Sequence, residues 1–192
     1  MQITDNALPT IEFKKILNYF TSEAPDWKFV TNVTHGSVGD YKHGKSQWGF
    51  ACSIYDSGKG IGRNSTEIVK DKFALNLLEP VIMDKTKLLR VRVGMIVNAG
   101  PDDAHNPHID QSYINHISQI YYLTASDAPT NIFEEYGPDE KYDNYRPEEF
   151  TIKMQSKPEP NRMLVFDGFH WHSSSHVYGT EVRISVNINY AK

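Results

Sequence analysis

Six of the eight histidines in this 192-residue chain fall between His105 and His176, and that stretch holds the clearest chemistry. His108-Ile109-Asp110 places two candidate metal ligands one residue apart. On an extended backbone, positions i and i+2 project to the same face, so one ion can be gripped by both. A histidine from another strand would complete a two-histidine, one-carboxylate set. Such a set leaves coordination positions open and points to non-heme iron(II) oxygen chemistry. The triplet alone equally suits a surface-loop histidine beside a capping aspartate. His170, His172 and His176 are the candidates for the third ligand.

A second feature lies just beyond them. Residues 182–190 alternate Val182, Ile184, Val186 and Ile188 against Arg183, Ser185, Asn187 and Asn189. The pattern is that of a half-buried strand. Its polar face carries one arginine among small hydrogen-bonding groups, which suits a pocket for a carboxylate better than a solvent face.

These residues need elements to hold them. Leu88–Val97, Ile117–Leu123, Phe150–Met154, Met163–Phe166 and Val182–Tyr190 read as strands, separated by Gly, Pro, Asn and Asp. Ahead of them, residues 10–22 have helical spacing with Thr10 as N-cap, and residues 67–83 resume it until Pro80 interrupts. Trp27–Val33 and Trp48–Tyr55 have strand composition, and Ser57–Thr66 is a Gly-rich loop. The sequence therefore predicts two helices packed on a β-rich body, an antiparallel sandwich or jelly roll, in one domain. Residues 1–87 would form helical and strand support, and residues 88–192 the core with the site.

Composition narrows the function classes. A net charge of -4 gives no electrostatic reason to expect nucleic acid. Glu134–Glu149 holds seven acids against Lys141 and Arg146, a surface insertion that could also serve as a lid. Cys52 is the lone cysteine, which excludes an intrachain disulfide or thiolate cluster and suits a reducing, cytoplasmic compartment. Met1–Pro9 does not read as a signal peptide, and no apolar run approaches the roughly 20 residues of a membrane span.

Four pieces in order, His108-x-Asp110, Tyr121-Tyr122-Leu123, a distal histidine and Arg183, resemble the 2-oxoglutarate/iron(II)-dependent dioxygenases, in their prolyl-hydroxylase-like branch. The resemblance covers residues 88–190. It implies a double-stranded β-helix, a jelly-roll or cupin-like barrel. In that family an arginine follows the distal histidine by about ten positions. Arg183 follows His172 by 11, His170 by 13 and His176 by 7, so the resemblance selects His172. It further implies that His108, Asp110 and His172 hold iron(II). Tyr122 and Arg183, with Ser185 or Asn187 alongside, would bind the far carboxylate of 2-oxoglutarate. Dioxygen would be the second cosubstrate, succinate and carbon dioxide the co-products, and ascorbate an accessory reductant. The product would be a hydroxylated, unactivated carbon of a small molecule or a peptide, such as a prolyl residue. Where the family has Gly-Gly-x-Thr after the Tyr-Tyr-Leu strand, this chain has Ala128-Pro129-Thr130-Asn131.

Two other readings compete. One is a non-catalytic cupin-like barrel that holds a metal or a sugar; the arginine speaks against it. The other is a P-loop, since Gly39–Ser46 fits Gly-x4-Gly-Lys-Ser. A phosphate cradle requires a helix N-terminus directly after the lysine, whereas Gln47-Trp48-Gly49-Phe50 leads into a β-rich run. His105 and His116 read as loop or surface imidazoles.

Overall fold

The computed structural model describes residues 1–31, 48–58, 66–98, 105–111, 114–137 and 147–192. The elements in chain order are β1 (Gln2–Thr4), α1 (Thr10–Phe20), β2 (Lys28–Val30), β3 (Gly49–Asp56), β4 (Ile68–Val69), α2 (Lys72–Leu77), β5 (Leu88–Val97), β6 (His116–Tyr122), β7 (Thr130–Tyr136), β8 (Ile152–Ser156), β9 (Arg162–Asp167), β10 (His170–Ser174) and β11 (Val182–Ala191). The larger sheet runs β1-β9-β6-β11-β5-β3-β2, with β4 on β3, and the smaller runs β10-β7-β8. All of these pairings are antiparallel. The fold is a double-stranded β-helix with flanking helices.

Period-two alternation decides which face each side chain serves. On the central strands, Val91, Val93, Tyr121, Ile184, Val186 and Ile188 point to one side, where Ile16 and Phe20 of α1 and Ala74 of α2 complete the core. Full burial of an aliphatic or aromatic side chain of this size contributes about 1.5–3 kcal/mol, so this cluster is the main source of cohesion. On the opposite side, Ile120, Tyr122, Leu164 and Phe166 meet Ile132 of the smaller sheet. Arg183, Ser185 and Asn187 share that inter-sheet side, because they alternate with the core residues of β11. The polar stripe is thereby set between the two sheets.

Several expectations shift. The helix expected over 67–83 is much shorter. Ile68 and Val69 pair with β3, and α2 starts only at Lys72, where Asp71 Oδ1 accepts from the Ala74 amide at 2.8 Å. Pro80 falls in a 3-10 turn at Glu79–Val81. Thr10 is the first residue of α1 rather than its cap, and Pro9 holds the cap position without a side-chain bond. Glu134 and Glu135 belong to β7, where Glu135 accepts from the Thr151 amide, so the acidic insertion starts later than expected. Its residues 138–146 lie outside the described residues, as do residues 59–65 of the Gly-rich loop and the Gly39–Ser46 motif. Among the described residues no helix is long and apolar enough to cross a membrane.

Candidate metal and carboxylate site

The segment leading to Asp110 lies along the free edge of β10. The His105 amide donates to the Ser174 carbonyl at 2.8 Å. His108 and His172 form a two-way rung, with amide-to-carbonyl distances of 2.9 and 3.0 Å. His172 therefore stands on a strand. A turn is upstream, at Gly168 and Phe169. There the Gly168 amide donates to the His116 carbonyl at 2.9 Å, and a Cβ on Gly168 would collide with the His116 ring. Only glycine permits that approach. Asp167 serves the same turn, its Oδ1 accepting from the Phe169 amide at 3.1 Å.

Cross-strand pairing sets the two imidazoles with ring centroids 4.5 Å apart, and the i to i+2 relation brings Asp110 beside them. His172 Nε2 is 3.6 Å from Asp110 Oδ2, and His108 Nε2 is 3.9 Å from Oδ1. One ligand atom from each residue lies within 4.8 Å of the others. Each Nδ1 is tied to the backbone, at 3.1 Å from the carbonyls of Asn106 and His170 respectively. A carbonyl there requires the proton on Nδ1, which leaves the Nε2 lone pairs facing Asp110. His172 Nε2 is buried with no hydrogen-bond partner among the described residues. An orphaned imidazole nitrogen aimed at a second imidazole and a carboxylate fits a divalent metal. Burial, reinforced by His172, pulls His108 down to about 4, so the ring is neutral at physiological pH as a ligand must be.

Asp110 is held from every side. Oδ1 accepts from Arg90 Nη2 at 2.7 Å, and Oδ2 from Asn187 Nδ2 and Asn189 Nδ2 at 3.0 Å each and from Ser118 Oγ at 3.2 Å. Burial pushes its carboxyl up, but Arg90 and His172 outweigh burial and hold it well below the usual carboxylate range. It is an anion in place to neutralise a cation.

Arg183 occupies the other end of the same pocket. It is 3% exposed, and the pocket is also lined by Asp110, His172, Thr130 and Ser185. Its Nη1 donates to the Ala128 carbonyl at 3.0 Å and its Nη2 to Thr130 Oγ1 at 2.7 Å. Tyr122 also donates to Thr130 Oγ1, at 2.8 Å, and its ring lies 5.5 Å beneath the guanidinium. No carboxylate pairs with Arg183 among the described residues, and its Nε has no partner. Because Thr130 accepts twice, its own proton is free to point into the pocket.

The sequence candidates thus divide in two. His108, Asp110 and His172 converge, with Asn187 beside them rather than beside Arg183. Ser185 lines the pocket between the two ends, and Tyr122 reaches Arg183 through Thr130. Sequence reasoning passed over Thr130, Arg90 and Arg92. The signal for the arginines was present, since they share one face of β5 against Leu89, Val91 and Val93. His105 and His116 are fully buried, contrary to the surface reading. His105 Nδ1 bonds Ser174 Oγ, and His116 Nδ1 bonds the Ile114 carbonyl at 2.7 Å.

The architecture matches solved 2-oxoglutarate-dependent oxygenases. A 2OG-Fe(II) oxygenase-family oxidoreductase from Burkholderia pseudomallei superposes with a TM-score of 0.63 at 15% identity, over 98% of this chain and 82% of that one. A prolyl-4-hydroxylase from Pseudomonas putida gives 0.53 at 11% identity, over 100% and 92% of the two chains. A Trichoplax adhaerens prolyl hydroxylase in complex with a peptide fragment of the hypoxia inducible factor oxygen degradation domain gives 0.51 at 14%, over 99% and 82%. No protein-family model and no curated protein sequence matches the chain. At these identities the likeness establishes the fold.

Proposed function

We propose that the chain is an iron(II)- and 2-oxoglutarate-dependent oxygenase that hydroxylates an unactivated carbon of a small molecule or peptide, a prolyl residue being the substrate type of two structural neighbours. The observation that carries this reading is Arg183. A guanidinium 3% exposed, paired with no anion among the described residues, shares a pocket with a His-Asp-His cluster in which His172 Nε2 has no partner. An unpaired buried charge is costly, and a planar fork suits a carboxylate. A barrel that only held a metal or a sugar would have no use for it.

His108, Asp110 and His172 would hold the metal on one face and leave other positions for cosubstrates. Bound iron with 2-oxoglutarate and dioxygen supplies the oxidising power, and succinate and carbon dioxide leave as co-products. The chain's own work is positioning. Asn187, Asn189, Ser118 and Arg90 fix both oxygens of Asp110, and the two Nδ1 anchors fix the imidazole planes. Arg183, carried on the Ala128 carbonyl and Thr130, would receive the far carboxylate of 2-oxoglutarate, with Tyr122 steadying Thr130 and Ser185 alongside. A reducing compartment such as the cytoplasm suits both iron(II) and the buried thiol of Cys52. Ascorbate as accessory reductant belongs to the same reading.

The deciding experiment is carbon dioxide release from 2-oxoglutarate, with and without iron(II), across proline-containing peptides and free amino acids. Iron-dependent release with matching succinate is expected. Tight metal binding without 2-oxoglutarate binding or turnover would instead identify a silent barrel.

A further inference from the structure

The pocket holds more positive charge than the proposed metal chemistry uses. Its lining carries Arg90, Arg92 and Arg183 against the single carboxylate of Asp110. Arg90 is committed to Asp110, at 2.7 Å. Arg183 has its own cradle and its own proposed anion. Arg92 is different. It is partly buried on the pocket face of β5, and among the described residues no hydrogen bond or direct ion pair holds its guanidinium, which the Asp110 carboxylate attracts only from further off.

Register places it. Across β5 and β11 the pocket-facing pairs are Arg90 with Asn189, Arg92 with Asn187, Gly94 with Ser185, and Ile96 with Arg183. Neighbouring strands are about 4.8 Å apart, so Arg92 rises one strand from Asn187, which touches Asp110 at 3.0 Å. Arg183 is four residues further along β11, roughly 13 Å away at 3.3 Å per residue. Arg92 therefore belongs to the metal end. Beside it, a Cβ on Gly94 would meet nothing within 4 Å, so there is room for a ligand. A cation kept in such a place with no directly bonded anion costs stability until one arrives to pair with it, since Asp110 attracts Arg92 only from a distance and is itself bonded to Arg90.

Resting on the function proposed above, we propose that Arg92 is a second carboxylate-binding point, placed at the metal end of the pocket to hold an acid group carried by the substrate. The substrate class is then a carboxylate-bearing small molecule, with the carbon to be oxidised close to its acid group. 2-Oxoglutarate has two carboxylates, one matched to Arg183 and one to the metal, and needs no third site.

The test uses manganese(II)-loaded protein saturated with 2-oxoglutarate. Carboxyl-labelled acetate and L-proline are the probes, and prolinamide is the control that lacks the carboxylate. Saturable paramagnetic relaxation of the carboxylate is expected in the wild type. In Arg92→Gln its affinity should fall about tenfold, with partial recovery in Arg92→Lys, while 2-oxoglutarate affinity is unchanged. Absence of saturable carboxylate binding in the wild type, or equal binding in Arg92→Gln, overturns the proposal. A matching fall in 2-oxoglutarate affinity would assign Arg92 to the cosubstrate and overturn it as well. Melting of the metal-free protein separates a structural role. Arg92→Met should melt at or above the wild-type temperature because an unpaired cation is gone, and a clear fall would show that Arg92 holds the fold together. If the wild type binds no 2-oxoglutarate, the proposed function fails by itself, and acetate on the manganese form alone still decides the role of Arg92.

Discussion

His108 and His172 stand opposite each other as a hydrogen-bonded antiparallel pair, each amide donating to the other's carbonyl. The backbone by itself brings the two rings together. Asp110 then follows by the alternation of an extended chain. The ligand cluster is thus assembled by the same bonds that attach residues 105–110 to β10.

Metal binding should fail when any one of the three ligands is lost, while the fold persists. His172→Ala leaves the backbone rung in place and is expected to abolish stoichiometric manganese(II) or iron(II) binding in calorimetry, with unchanged far-ultraviolet circular dichroism. His170→Ala and His176→Ala should bind metal normally. Full affinity in His172→Ala would remove it from the site.

The partners of Asp110 should matter in their own right. Asn189→Leu removes one of the three donors to Oδ2 and should weaken metal binding roughly 10- to 100-fold, the usual cost of an outer-shell partner. Binding within about twofold of the wild type would mean that Arg90, Asn187 and Ser118 suffice.

At the far end of the pocket, Arg183→Leu should weaken 2-oxoglutarate binding by about 1.5–3 kcal/mol, or ten- to a hundredfold, without affecting metal affinity. Arg183→Lys should recover part of this through charge while losing the fork. Thr130→Val removes the hydroxyl that both Tyr122 and Arg183 use, and should cost about 1–3 kcal/mol in stability as well as cosubstrate affinity. Unchanged calorimetric affinity in both Arg183→Leu and Thr130→Val would strip the pocket of its carboxylate role.

Acid should destabilise the protein early. Burial pulls His105, His108 and His116 below the ordinary imidazole value of 6.5, His108 to about 4. Each binds fewer protons folded than unfolded, so their contribution is complete above 6.5 and declines as pH falls below it. The metal-free protein should melt at a lower temperature near about pH 5.5 than near about pH 7.5, and bound metal, which needs neutral imidazole, should widen the gap. A melting temperature that holds steady across this window would mean that these rings gain protons in the folded state.

Much of this was legible in the sequence for a local reason. In Leu88–Val97 and Val182–Ala191 the alternation is nearly unbroken, so face, burial and strand identity all follow from period two. His108 and Asp110 were legible because their relation is local too. What escaped depends on distant partners. His170-Trp171-His172-Ser173-Ser174 has no β-branched residue, and it is a strand because β7 on one side and residues 105–108 on the other supply its hydrogen bonds. Ile68 and Val69 fit a helical pattern until β3 offers them an edge. Thr130 looked like a departure from a motif, and its use shows only where Arg183 and Tyr122 meet on its hydroxyl.

Gly94 gives the fold a degree of latitude that its neighbours lack. Along β5, Val91 and Val93 are locked into the core, whereas a side chain at Gly94 would grow into empty pocket and collide with nothing within 4 Å. Chain variants at this one position can therefore reshape the cavity while the barrel goes on folding as before. Alanine there is expected to be neutral or stabilising by up to about 1 kcal/mol, since a strand glycine gives up more backbone entropy on folding. Larger residues would narrow the pocket. A single substitution here would thus alter what the cavity can hold, with His108, Asp110, His172 and the Arg183 end left as they are.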